Sequence, residues 1–239
     1  MSLSKERVFA MVVVAAVLAA ACSSPAAKSK AELRRRGYGF TEGAFLERVE
    51  AGDLESVKLF LTAGISPDAA ADGASALLEA ARRGHDAVAA ELVKGGARVD
   101  TEDAYGVTAL MFSLITGSAE AAKALLDGGA DLNARDVDGR TALIEALTTE
   151  NDLPPEIIMD LIHRRADVNV RTAGGVTPLM IAVYGDPAVV KALVAAGADV
   201  NARDENGASV LRMAKDNPEN AKILKDAGAI ESGGKRGRA

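Results

Sequence analysis

Few side chains in this chain could carry out chemistry, and those few are scattered. The sequence of 239 residues holds two histidines, His85 and His163, and a single thiol, Cys22. Hydrolysis by a nucleophile needs a base beside it, and neither Gly-x-Ser-x-Gly nor His-Glu-x-x-His occurs. Gly37-x-Gly39 with nearby Gly43 has the wrong spacing for a dinucleotide loop, and no strand precedes it. Asp136-x-Asp138-Gly139 with Glu145 is closest to a calcium loop. There the first ligand position would be Ala134, which has no side-chain oxygen, and Arg135 brings a positive charge. Read this way, the chain is not an enzyme and needs no metal, no other cofactor and no small-molecule substrate.

What the sequence does contain is a period. The glycine before Ser or Thr recurs at Gly73, Gly106, Gly139, Gly175 and Gly207, and a Gly-Ala pair recurs at Gly64, Gly96, Gly129, Gly197 and Gly228 in slightly varied form. Arg165 takes the Gly place in the fourth copy. Two rulers with a period in the thirties predict a repeat array, in which each unit buries its apolar face only against its neighbours. Units are expected near 41–69, 70–102, 103–135, 136–171, 172–203 and 204–230, all within a domain spanning 37–230.

One unit explains the spelling. Gly106 opens a tight turn, and Thr108 stands where a helix N-cap must accept from an unpaired backbone N–H. A short helix follows through Leu110, Met111, Leu114 and Ile115 to a stop at Gly117. Ser118 then caps a second helix that ends at Gly128 and Gly129. The polar tail Ala130 to Asp136 runs out and back as a finger. Asp53 is expected to cap the second helix of the first unit. Between Thr148 and Ile157 the fourth unit is three residues longer than its siblings, and Pro154 and Pro155 suit a helix start. The charged last unit, compressed around Lys215 to Pro218, reads as a closing cap.

Gly-x-Thr-Ala-Leu at 106–110 and 139–143, Gly-Val-Thr-Pro-Leu at 175–179 and Gly-Ala-Asp-Val-Asn-Ala at 197–202 resemble the ankyrin repeat. The resemblance implies an all-α solenoid of about six stacked helix–turn–helix units with hairpin fingers. The family's Thr-Pro-Leu-His histidine is replaced by Leu78, Met111, Ile144, Met180 and Arg212, so apolar contact is expected to join neighbouring turns here. His85 falls in the family's Gly-His place and is expected to be structural. Partners of such arrays meet the finger tips and the inner helices. Carried over by position, the partner-binding residues are Asp72, Arg82, Arg83, Tyr105, Val107, Ile115, Thr116, Asp138, Arg140, Thr149, Val176, Tyr184, Glu205 and Asn206. Tyr105, Val107 and Ile115 put apolar groups where solvent would otherwise sit, as in the centre of an interface. For Val107 and Ile115, packing against neighbouring units is an equal alternative.

Charge is unevenly spread. Residues 37–230 carry 31 acidic against 18 basic side chains, a net of −13, whereas 22–36 carry five basic residues and one acid. So acidic a body excludes nucleic acid as the expected partner. Aromatics are 3% and apolar residues 49%, mostly small and aliphatic, which suits a thin stacked core.

Before the repeats, Lys5 and Arg7 precede an apolar run from Phe9 to Ala21. At 13 residues the run is short for a membrane span and reads as a signal peptide over 1–21. Leu18-Ala19-Ala20-Ala21-Cys22 resembles a bacterial lipobox, which implies cleavage before Cys22 and its acylation. Ala19 and Ala21 also fit ordinary signal cleavage. Residues 22–36 are expected as the lipidated cysteine and a basic, flexible tether. Lys28, Lys30 and Arg34 to Arg36 are then either solvated or laid on anionic headgroups. With one cysteine no internal disulfide is possible. Residues 231–239 are expected to be a disordered basic tail.

The sequence therefore predicts an exported, monomeric binding module, lipid-anchored and facing the periplasm, with Ser23 favouring the outer membrane by analogy. Its expected partner is a protein, unidentified, on the concave face. An inhibitor or immunity factor and a structural envelope component are the alternatives.

Overall fold

The computed structural model describes residues 24–71, 73–148 and 153–230. Helices come in antiparallel pairs: α2 (Glu42–Glu50) with α3 (Leu54–Ala63), α4 (Ala76–Arg82) with α5 (Asp86–Lys94), and α6 (Ala109–Ile115) with α7 (Ala119–Asp127). They continue as α8 (Ala142–Thr148) with α9 (Pro155–His163), α10 (Pro178–Ala182) with α11 (Pro187–Ala195), and α12 (Val210–Met213) with α13 (Pro218–Asp226). The even-numbered helices from α2 to α12 stack as an inner row and the odd-numbered ones as an outer row. This is the all-α repeat solenoid expected.

Each inner helix follows a Ser or Thr, and at α2, α4, α6 and α12 that hydroxyl accepts a backbone N–H. Ser75, Thr108 and Ser209 accept from Leu78, Met111 and Arg212 at 3.2–3.3 Å. Asp53 caps α3 through Ser56 N at 3.1 Å. Ser118 sits at the N-cap of α7 but gives no side-chain cap; its hydroxyl pairs with Thr116 Oγ1 at 2.9 Å instead. The recurrent glycine at the finger turn has positive φ in every copy, and in three copies the next finger crowds it as well. At Gly106 φ is +76°, and a Cβ would lie 3.1 Å from the Arg135 carbonyl and 3.2 Å from Asp136 Cα, the backbone of the next finger.

The residues in the place of the family's histidine are buried in four of the five units. Leu78, Met111, Ile144 and Met180 are all buried, whereas Arg212, in the closing unit, is exposed. His85 is structural as well: its Nε2–H donates to the Glu50 carbonyl of the preceding unit at 2.9 Å. A ladder of side-chain oxygens links the fingers. Asp68, Asp100, Asn133, Asn169 and Asn201 each accept from a backbone N–H one unit on, namely Arg98, Asp131, Asp167, Asp199 and Ile230, at 2.8–2.9 Å. Those short polar residues, easily read as loop filler, satisfy backbone donors that the fingers leave open.

Residues expected as a flexible tether are instead a helix, α1 (Pro25–Arg35). Ser24 caps it through Ala27 N at 3.1 Å, Pro25 stands at its first turn, and Ala, Lys, Arg and Glu favour helix throughout. Ser29 and Leu33, one turn apart, are buried against α3, so α1 extends the outer row by one member beyond the first pair. Phe60 anchors this end, with ring centroids 5.8 Å from Phe45, 6.4 Å from Phe40 and 6.5 Å from Tyr38. A single large apolar residue in α1 explains why its packing is hard to read from periodicity.

At the other end, α12 gives way to a 3₁₀ turn (Ala214–Asp216), and Asn217 caps α13. Buried Asn220 donates to the carbonyls of Val183 and Gly185 at 2.9 and 3.0 Å, fixing the last helix to the preceding unit.

Arg165 adopts φ 69°, the only non-glycine with positive φ among the described residues. A side chain in this region costs on the order of 1–2 kcal/mol. Replacing Arg165 by Gly is expected to stabilise the array by roughly 0.5–1 kcal/mol after the extra flexibility of the unfolded glycine is subtracted. Chemical denaturation at neutral pH would show it as a higher midpoint with an unchanged slope.

Candidate partner-binding face

The finger tips are held to one another by backbone. Val137 N–H donates to the Tyr105 carbonyl at 2.9 Å, Ala173 N–H to Asp138 at 2.8 Å and Glu205 N–H to Gly174 at 3.2 Å. Within a finger, the Asp103 carboxylate accepts from Tyr105 and Val107 N–H at 2.8 and 2.9 Å, and Asp136 accepts from Asp138 and Arg140 N–H at 2.9 and 2.7 Å. This explains the calcium-like spelling around Asp136: its oxygen already serves the turn. Among the described residues no group of three His, Cys, Asp or Glu side chains could hold a metal ion.

On this rigid comb stand large apolar side chains in water. Tyr105 is 66% exposed, Val137 69%, Tyr184 69% and Ile115 40%. Tyr105 and Val137 belong to the tips, whereas Ile115 ends α6 and Tyr184 stands in the turn that follows α10. Val107 and Val176 are half-buried, and Val176 packs against the core.

The cations of the face are already paired. Six residues beyond the finger glycine stand Glu79, Phe112, Glu145, Ile181 and Met213 in successive units, a position the sequence reading passed over. Glu79 and Glu145 are both buried. Glu79 is clasped by Arg82, Nε to Oε2 3.1 Å, and by Arg83, which also reaches Glu50 of the preceding unit at 3.4 Å. Arg140 Nη2 donates to Glu145 Oε2 and to Thr148 Oγ1, both at 2.8 Å. Arg82, Arg83 and Arg140, expected as partner contacts, are thus structural ion-pair members first. Thr116 is likewise engaged, donating to the Phe112 carbonyl at 2.9 Å. Asp138, Glu205 and Asn206 are exposed at the tips. Cys22, Asp72 and Thr149 lie outside the described residues.

Two hollows open between the fourth and fifth units. One, of about 380 Å³, is floored by Ile144, Val176 and Ile181 and edged by Asp138, Arg140, Thr148, Ala173 and Gly174. The finger of the fifth unit ends in Ala-Gly, so no tip side chain fills it. The other, about 550 Å³, includes Leu147, Leu153, Ile158, Ile181, Tyr184 and Val189.

Burial opposes ionisation of Glu79, but hydrogen bonds from Arg82 and Arg83 outweigh it and hold the pKa below the ordinary carboxylate range. A group depressed on folding contributes stability that is complete above its unfolded pKa and is lost as pH falls through the folded one. Glu79→Gln is expected to cost about 1 kcal/mol at neutral pH and to flatten the loss of melting temperature between about pH 5 and pH 3. Parallel acid limbs for the two proteins would contradict this role.

A family model described as ankyrin repeats in three copies matches residues 46–136 and 105–172, and one for the single ankyrin repeat matches residues 174–205. The chain belongs to the ankyrin-repeat family. No curated protein matches it. Ankyrin arrays are protein–protein interaction modules and are generally non-catalytic.

Proposed function

We propose that this ankyrin array is a non-catalytic capture module, exported and anchored to the bacterial envelope through acylated Cys22. It holds a protein segment across its third to fifth units. The observation that carries the reading is the group Tyr105, Ile115, Val137 and Tyr184: large apolar side chains exposed on a backbone-locked comb, with Tyr184 lining one of the two hollows between the fourth and fifth units. Exposed anchors beside pockets are the pattern of interface hot spots.

Charge narrows the partner. The Arg82, Arg83 and Arg140 guanidinium groups are paired with Glu79 and Glu145, while Asp138 and Glu205 stand exposed at the tips. The groove therefore favours a segment with apolar anchors flanked by Lys or Arg.

A crosslinked pull-down of the intact protein from its native envelope, beside Cys22→Ala, tests both halves of the proposal. Mass spectrometry is expected to find an acylated N-terminal Cys22 and one dominant protein partner. A bait that is neither acylated nor accompanied would overturn the tether and the capture role together.

A further inference from the structure

We propose that the outward face of α1 is a docking surface for an anionic lipid bilayer, which sets the N-terminal end of the array on the membrane. The inference rests only on the membrane attachment in the reading above and not on the concave face.

The face is built by helical spacing. Ser29 and Leu33 point α1 at α3, so Lys28, Lys30, Arg34 and Arg35 fall on the exposed side. From Pro25 to Arg36 there are five cations against one acid, Glu32. Glu32 is paired with Arg35 at 2.7 Å and with Arg36 at 2.9 Å, while Lys28 and Arg34 make no ion pair among the described residues. Lys30 Nζ stands 4.3 Å from the centroid of Phe40, which is itself exposed and offers an apolar contact at the same edge. Held on a packed helix, these charges form a fixed plate rather than a diffuse cloud on a tether.

What precedes the plate points to its occupant. The apolar run ends at Ala21 and α1 begins at Pro25, so few residues separate them. At about 3.5 Å per residue such a link reaches only ~10–15 Å. Any attachment of the chain to a bilayer through Phe9 to Cys22 brings α1 to the headgroups. Beyond α1 the body carries a net charge of −13, so the same anionic surface that attracts the plate repels the repeats and stands the array away from the lipid.

The test uses the full chain with Cys22→Ala, so that acylation plays no part, and a single environment-sensitive dye on Ala31→Cys. It is reconstituted into vesicles of phosphatidylcholine alone or with about three-tenths phosphatidylglycerol, and only floated protein is read. On anionic vesicles at low salt the dye is expected to shift to the blue and be quenched by headgroup-attached quencher. About 0.5 M salt is expected to reverse this, because it cuts the screening length to a few ångströms. Lys28→Glu with Arg34→Glu is expected to lower the contacting population by at least about thirtyfold, at roughly fivefold per cation removed. Flotation and the circular-dichroism melt should stay unchanged. A dye on Ala196→Cys should remain aqueous throughout. Equal signals on neutral and anionic vesicles, whether in contact or in water, overturn the proposal, and contact that persists in the charge-reversed variant does the same. Either failure leaves the capture role at Tyr105 and Tyr184 standing.

Discussion

Phe60→Ala is expected to destabilise the N-terminal end of the array by about 4 kcal/mol. Its side chain is fully buried and touches three other rings, those of Tyr38, Phe40 and Phe45, so truncation leaves a cavity that the helices close only in part. The loss should be local. A solenoid couples each unit chiefly to its neighbours, so α1, α2 and α3 are expected to fray before α9 to α13. Hydrogen exchange would show protection lost in residues 25–63 and retained beyond 178. A uniform loss along the chain would mean that the array folds as one cooperative block.

The second large effect is on binding. Tyr105→Ala combined with Tyr184→Ala is expected to weaken partner affinity roughly hundredfold, because truncating an aromatic anchor typically costs on the order of 1–2 kcal/mol or more. Stability should change by less than about 0.5 kcal/mol for each, since both rings stand mostly in water. Calorimetric titration of the partner with parent and double variant, beside their melting curves, separates the two effects. Arg140→Ala is a poorer probe. Removing its guanidinium leaves Glu145 buried and unpaired, so any loss of binding would be mixed with loss of fold.

How far the sequence reaches can be seen residue by residue. The period is legible because Gly73, Gly106, Gly139, Gly175 and Gly207 all hold positive φ, a backbone conformation that side chains rarely adopt, and at Gly106, Gly139 and Gly175 the next finger also leaves no room for a Cβ. Tyr105 and Tyr184 are legible for the opposite reason: nothing in the repeat needs an aromatic there. The N-terminal helix is not legible from its apolar content. Leu33 is its one large apolar residue, and the packing of α1 depends on a groove of α3 that exists only in three dimensions. The Arg82, Arg83 and Arg140 clasps are missed because a buried acid inside a helix looks like an exposed one until its burial is known. Lining the repeats on the finger glycine and reading six residues on would have found Glu79 and Glu145. The Asp and Asn ladder is spelled in each of the first five units, yet its partners lie about thirty residues away, beyond any local turn rule.

The central claim, that the comb of finger tips and inner helices is the capturing face, is tested most directly by photocrosslinking in the native envelope. A benzophenone amino acid is placed at Tyr105 on the comb and, in a second protein, at Lys191 on the exposed side of α11 in the outer row. One dominant protein adduct is expected from position 105, lost when Tyr184→Ala is added, and none from position 191. An adduct from position 191 with none from position 105 would contradict the claim and move the binding surface to the outer helices.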